Sequence, residues 1–171
     1  FTVEVERSLR VLDGAIGIFC GVGGVQAQSE TVWRQSKRYK IPRIIYVNKM
    51  DRIGADFFNV LKEIEDKLHS SPVVLTLPIF TGGEFIGVVD VIEEKAILYN
   101  SEYETESEVT QVPANLKHEL EKYRNILLEK TSDVDERVMS KYLEGQRISP
   151  LEIKRAVRKG TLECKIFPAF C

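Results

Sequence analysis

Arg43-Ile44-Ile45-Tyr46-Val47 is followed at once by Asn48-Lys49-Met50-Asp51, and Pro42 closes the segment before it. A short apolar run bounded by such punctuation predicts a buried strand that delivers Asn48 to Asp51 at its carboxyl end. Upstream, Val32, Trp33, Ser36 and Tyr39 are spaced as the buried side of a helix over Ala27–Lys40. Before it, Ala15–Val22 is nearly all apolar, as in a strand covered on both faces of a parallel sheet, and Gly21-Val22-Gly23-Gly24 turns the chain. Val5, Leu9 and Leu12 mark a first helix over Thr2–Leu12, ended by Asp13-Gly14. Downstream, Phe57, Leu61, Ile64 and Leu68 form the apolar stripe of another helix. Helix, strand, helix, strand, helix is the order of a doubly wound α/β sheet, in which ligands bind at the carboxyl ends of strands.

From Pro72 the pattern changes to short strands over Val73–Ile79, Phe85–Val91 and Ala96–Tyr99, with Gly82-Gly83 as a turn. Ser101–Gln111 carries four glutamates and little apolar residue, which predicts a solvated loop or exposed edge. Leu116, Leu120, Tyr123 and Leu127 then mark a helix, and Ser132 with Asp135 has capping-box-like spacing before a shorter one. Ser149-Pro150-Leu151-Glu152 sets a cap, a first-turn proline and an N3 glutamate in order, with Gly160 as the stop. Ile166–Cys171 closes as a strand. The division expected is 1–71 as one half of a nucleotide-binding core, 72–160 as an inserted α+β subdomain, and 161–171 as a strand returning to the core.

Of the 171 residues, 43% are hydrophobic, enough for a substantial core. No apolar run approaches the roughly 18 residues of a membrane span, and no signal-type leader precedes the first helix. A cytoplasmic or organellar protein without membrane contact is therefore expected. The net charge of -2 provides no general attraction to nucleic acid. Cys20, Cys164 and Cys171 lack metal-type spacing and read as reduced and structural, and His69 and His118 have no ligand constellation around them. No metal site and no catalytic residue is assigned. Lys37, Arg38, Lys40 and Arg43 read as ordinary surface cations. The chain opens on Phe1 without an initiator Met and stops at Cys171 inside a strand-like stretch, so a fragment is expected.

The chemistry lies in Asn48-Lys49-Met50-Asp51. Guanine presents adjacent donors at N1 and N2, which a carboxylate matches in a bidentate pair; adenine lacks that arrangement. Asp51 fits this role. Asn48 can fasten neighbouring loop backbone and approach the base, the aliphatic stem of Lys49 can lie over a ring face, and Met50 is a spacer pointing away. The competing reading is a plain strand-to-helix loop in which Asp51 or Asp56 caps the next helix. Gly21-Val22-Gly23-Gly24-Val25-Gln26 is a poor dinucleotide fingerprint, because Gln26 stands where a third glycine belongs and no acidic residue ends a second strand about 20 residues later.

Phe1 to Ala15, then Gly23-Gly24-Val25-Gln26, Asn48-Lys49-Met50-Asp51-Arg52, Gly54-Ala55-Asp56-Phe57-Phe58 and Gly87-Val88-Val89-Asp90, together closely resemble the elongation factor G family of translational GTPases, while Glu102–Gln146 matches it only loosely. The resemblance implies the second half of a doubly wound P-loop GTPase sheet with an inserted α+β subdomain, binding GTP or GDP through Asn48, Lys49, Met50 and Asp51. It implies a ribosome-dependent parent that hydrolyses GTP to promote translocation of tRNA and mRNA. A recycling or ribosomal-protection GTPase is the alternative, as is a non-catalytic module docking on the ribosomal stalk protein through the insert. The localisation implied is cytoplasmic, with a mitochondrial or plastid matrix as the alternative. The P-loop, first switch and Mg2+ ligands would lie outside this chain, so the isolated segment is expected to be inactive. The family's first strand would pair beside Ala15–Val22, and without it an apolar edge favours self-association.

Overall fold

The computed structural model describes residues 2–99 and 107–171. A first helix, α1 (Thr2–Leu9), leads to β1 (Ala15–Cys20), α2 (Ala27–Arg38), β2 (Arg43–Asn48), α3 (Phe57–Leu68) and β3 (Pro72–Val74). A second group follows: β4 (Thr76–Thr81), β5 (Glu84–Asp90), β6 (Lys95–Tyr99) and β7 (Ser107–Thr110), then α4 (Lys117–Ser132), α5 (Glu136–Leu143), α6 (Pro150–Leu162) and β8 (Phe167–Phe170). The chain is α/β, with a parallel sheet ordered β1-β2-β8-β3 and an antiparallel sheet ordered β4-β5-β6-β7.

The parallel sheet carries α2 and α3 on one face. Phe19, Ile45 and Val47 point into that layer and meet Trp33, Phe57, Val60 and Ile64, all buried. Gly17 lets Trp33 lie on the strand, since a Cβ there would sit 2.9 Å from the indole. The other face is open at β1 and β2, where Ile16 and Ile18 are each 62% exposed and Tyr46 is exposed beside them, while β3 and most of β8 are buried on both faces. β1 is therefore covered on one face only, unlike the two-sided burial expected of Ala15–Val22, and it ends the sheet on its free edge.

The expected single strand over Val73–Ile79 is two strands in two sheets. Pro72–Val74 runs parallel to β8, and Thr76–Thr81 runs antiparallel to β5. Leu75 is the hinge: its N–H donates to Ala169 O at 2.8 Å and its carbonyl accepts from Val91 N at 3.0 Å. An apolar run shows no change of direction, because both sheets bury these side chains. The β4–β5 hairpin turns on Gly82 and Gly83, whose φ values of +61° and +90° explain the glycine pair. Of the acidic stretch, residues 107–110 form the edge strand β7, and 101–106 lie outside the described residues.

Helix α4 ties the two sheets together. Arg124 donates to Val91 O and Ile92 O at 2.8 and 2.9 Å, and Tyr123 stacks on Phe58 of α3 with centroids 5.6 Å apart. Helix α6 starts as its sequence predicts, with Ser149 and Glu152 capping each other reciprocally. Three local expectations change. Asp135 alone caps α5, while Ser132 is the last residue of α4 and its hydroxyl donates to Glu129 O. Gly160 lies inside α6 and provides room for Ile166, whose side chain would be 2.6 Å from a Cβ; the left-handed residue after the helix is Cys164 at φ +56°. Arg43 is no surface cation: it is 3% exposed, held between the rings of Trp33 and Phe167 at 4.5 and 4.8 Å.

Candidate functional site

The loop after β2 is built from the end of a parallel strand, where the ladder stops and side chains face solvent. Asn48 is the last strand residue and lies opposite Cys20 in the register. Its Oδ1 accepts from the Lys49 amide at 2.8 Å, which leaves the side-chain NH2 to face outward as a donor. Lys49 then adopts φ +64°, a left-handed conformation that costs a non-glycine residue roughly 1 kcal/mol and turns the chain abruptly. Two further turns follow, closed by Arg52 N to Lys49 O at 3.2 Å and Ala55 N to Arg52 O at 3.0 Å, with Gly54 at φ +84°.

This path sorts the motif by exposure. Asn48, Lys49 and Asp51 are exposed, while Met50 is only 5% exposed and points into the core as the anchor of the loop. The capping alternative falls to a different carboxylate. Asp56 is the N-cap of α3 and accepts from Asn59 N at 2.9 Å. Asp51 stands five residues earlier in the solvent-facing part of the loop, with its carboxylate engaged in no hydrogen bond or ion pair among the described residues. An exposed carboxylate with both oxygens available, beside an amide donor and a lysine stem, can accept two parallel N–H groups from a planar ligand.

A second loop, residues 21–26, forms the floor of the first. Gly21 N donates to Asn48 O at 2.8 Å, and Gly21 O accepts from Asp56 N at 2.9 Å, so one residue ties both ends of the 48–56 segment. A Cβ on Gly21 would meet Met50 Sδ at 3.0 Å and the Ala55 Cβ at 3.1 Å. The amides of Gly23 and then Val22 hold the Cys20 thiol below its ordinary pKa, with the positive charges of Lys49 and Arg52 adding to the effect. Sequence reasoning saw Gly21–Gln26 as a turn, a failed dinucleotide loop and part of a family resemblance, with no structural role at the site. The pairing of a glycine run after one strand with the motif after the next is the signal that it left unused.

Among the described residues no group of three or more His, Cys, Asp and Glu could hold a metal ion, and no helix is long and apolar enough to cross a membrane. The three cysteines are free thiols, with Cys171 buried and its pKa pushed up to about 11 by that burial.

Comparison with known proteins concerns the chain as a whole. The family model described as elongation factor Tu GTP binding domain matches residues 1–161. A solved structure from Thermus thermophilus superposes with a TM-score of 0.86 at 27% sequence identity, covering 99% of this chain and 25% of that one. The chain thus spans about a quarter of the length of the structure it matches.

Proposed function

Since this chain belongs to the elongation factor Tu GTP-binding domain family, we propose that it is the guanine-reading part of a ribosome-dependent translational GTPase of the elongation factor G type. In this reading the Asp51 carboxylate accepts from guanine N1 and N2. Asn48 holds the loop through Lys49 and offers its NH2 toward the base, and the Lys49 stem covers one ring face. Met50 locks the loop to the core and makes no contact with the ligand. The observation that carries the reading is the division of labour between two carboxylates: Asp56 caps α3, which leaves Asp51 exposed and unengaged at the carboxyl end of a parallel strand.

Phosphate and Mg2+ are assigned to residues outside this chain, because its sequence contains no Gly-Lys-Ser/Thr of a phosphate loop. Backbone amides, the loop lysine and the metal supply most of the affinity in such sites, so the 171-residue chain alone is inactive in this account. Residues 72–160 are proposed as the inserted unit and as a docking surface for the ribosomal stalk protein. The full-length protein drives movement of tRNA and mRNA, in the cytoplasm or an organellar matrix.

The test is nucleotide competition in the full-length protein. Guanine nucleotides should displace a bound fluorescent GDP at far lower concentration than adenine nucleotides, and Asp51→Ala should cut GDP affinity roughly 10- to 100-fold. Equal displacement by ADP, or full GDP affinity in Asp51→Ala, would remove Asp51 from the base. Ribosome-stimulated hydrolysis accompanied by one-codon movement of mRNA supports the translocation role, and hydrolysis coupled only to subunit separation would favour recycling.

A further inference from the structure

Glu63 lies in the second turn of α3, twelve residues beyond Asp51, yet it is wired into the floor of the base-reading loop. Its Oε2 accepts from Val25 N at 2.8 Å and from Lys67 Nζ at 2.9 Å, while Lys67 also reaches Val25 O at 3.4 Å. The ion pair with Lys67, followed by the Val25 amide, holds the Glu63 carboxyl below the usual carboxylate range. Gly24 makes room for this contact: it sits at φ +57°, and a Cβ there would collide with the Glu63 carboxylate. Gly24 N closes back on Cys20 O at 2.9 Å, so residues 20–25 form one tight turn whose far end is held by Glu63. The near end is Gly21, hydrogen-bonded to Asn48 and Asp56 and packed against Met50 and Ala55.

We propose that Glu63 is a positioning residue for guanine recognition: its carboxylate staples the Gly21–Val25 turn to α3, and that turn fixes the Asn48–Asp56 loop from below. This rests on the base-reading role of Asp51. A buried amide that loses a charged acceptor costs more than an ordinary hydrogen bond, and among the described residues the turn has no other hydrogen bond to α3 or its cap beyond Lys67 and the Asp56 amide. Releasing its far end lets Gly21 move, and Gly21 bonds the backbone of both loop ends. Glu63 touches no ligand, so its effect falls on loop order and base discrimination.

Amide exchange on the 171-residue chain tests the staple without nucleotide. In Glu63→Ala, the amides of Gly21, Ala55 and Asp56 should exchange about tenfold faster, whereas Val89 and Ile97 in the other sheet keep their rates; Glu63→Gln, which retains an acceptor for Val25, should stay near wild type. Acceleration confined to Val25, or spread equally over both sheets, overturns the proposal. In the full-length protein, Glu63→Ala and Gly24→Ala should lower the preference for GDP over IDP, which lacks the 2-amino group, by about tenfold, with Glu63→Gln rescuing it. Equal loss for both nucleotides shows a merely structural role and refutes positioning. Wild-type indifference to the 2-amino group would instead sink the base-reading premise, while the exchange result would still decide whether Glu63 orders the loop.

Discussion

The two sheets solve burial differently. The antiparallel sheet is built in sequence order, each strand pairing with the next, and its Leu77, Val88, Val89 and Ala96 are buried. In the parallel sheet β3 and most of β8 are buried on both faces, but β1 and β2 are covered on one face only, and across the other run exposed Ile16, Ile18 and Tyr46 beside Ile44. Local sequence contacts suffice for the first region. The second has an apolar face that water penalises at about 25 cal/mol per Å2 until something covers it. The base-reading loop rises from the carboxyl end of this half-covered sheet.

The largest effect that would sharpen the contrast comes from the covered side of the parallel sheet. Phe57 is fully buried under the motif loop, and Phe57→Ala should cost about 3–5 kcal/mol in chemical denaturation. A loss under about 1 kcal/mol would mean that the α3 layer is not what holds the sheet. Next comes the open face. Ile18→Lys should reduce concentration-dependent self-association of the chain in light scattering while shifting its unfolding midpoint little, because the side chain is already mostly in water. A wild-type chain that stays monomeric over a wide concentration range would break this half of the comparison.

The smallest effect belongs to the helices that follow the antiparallel sheet. Lys141 first, then the Ser149 amide and hydroxyl, hold the Glu152 carboxyl at about 2, below its ordinary value of 4.5. A group whose folded pKa is depressed stabilises the fold above its unfolded pKa, and this contribution fades as pH falls from about 4.5 toward 2. Glu152→Gln should therefore be less stable than wild type at about pH 6, with the gap narrowing steadily as pH falls toward 2. A gap of constant size would show that the capping box acts without the charge.

Much of this architecture is legible in the chain itself, for identifiable physical reasons. Periodicity exposes α2 and α3 because Trp33, Ser36, Phe57, Leu61, Ile64 and Leu68 all face one layer, and the cap at Ser149 is local chemistry that needs no tertiary partner. Features set by distant partners are not legible. Leu75 reads as mid-strand because both sheets want an apolar residue there. Gly160 reads as a helix stop, although its value is space for Ile166. Arg43 sits in a run of surface cations, and only the fold brings Trp33 and Phe167 to either side of it. At the site, spacing names Asn48, Lys49, Met50 and Asp51 but leaves two carboxylates able to cap α3. Geometry gives that task to Asp56. Glu63 is invisible in sequence because its partner Val25 is 38 residues away.

The most direct test of the central claim is a change of base preference in the full-length protein carrying Asp51→Asn. An amide at this position donates where the carboxylate accepted, which suits the carbonyl that xanthine carries at its second ring carbon and opposes the amine of guanine. Calorimetry with GDP and XDP should show the preference inverted, with XDP bound more tightly than GDP by the variant and less tightly by the wild type. A variant that still prefers GDP as strongly as the wild type would contradict the account, and Asp51 would then be an ordinary residue of a surface loop.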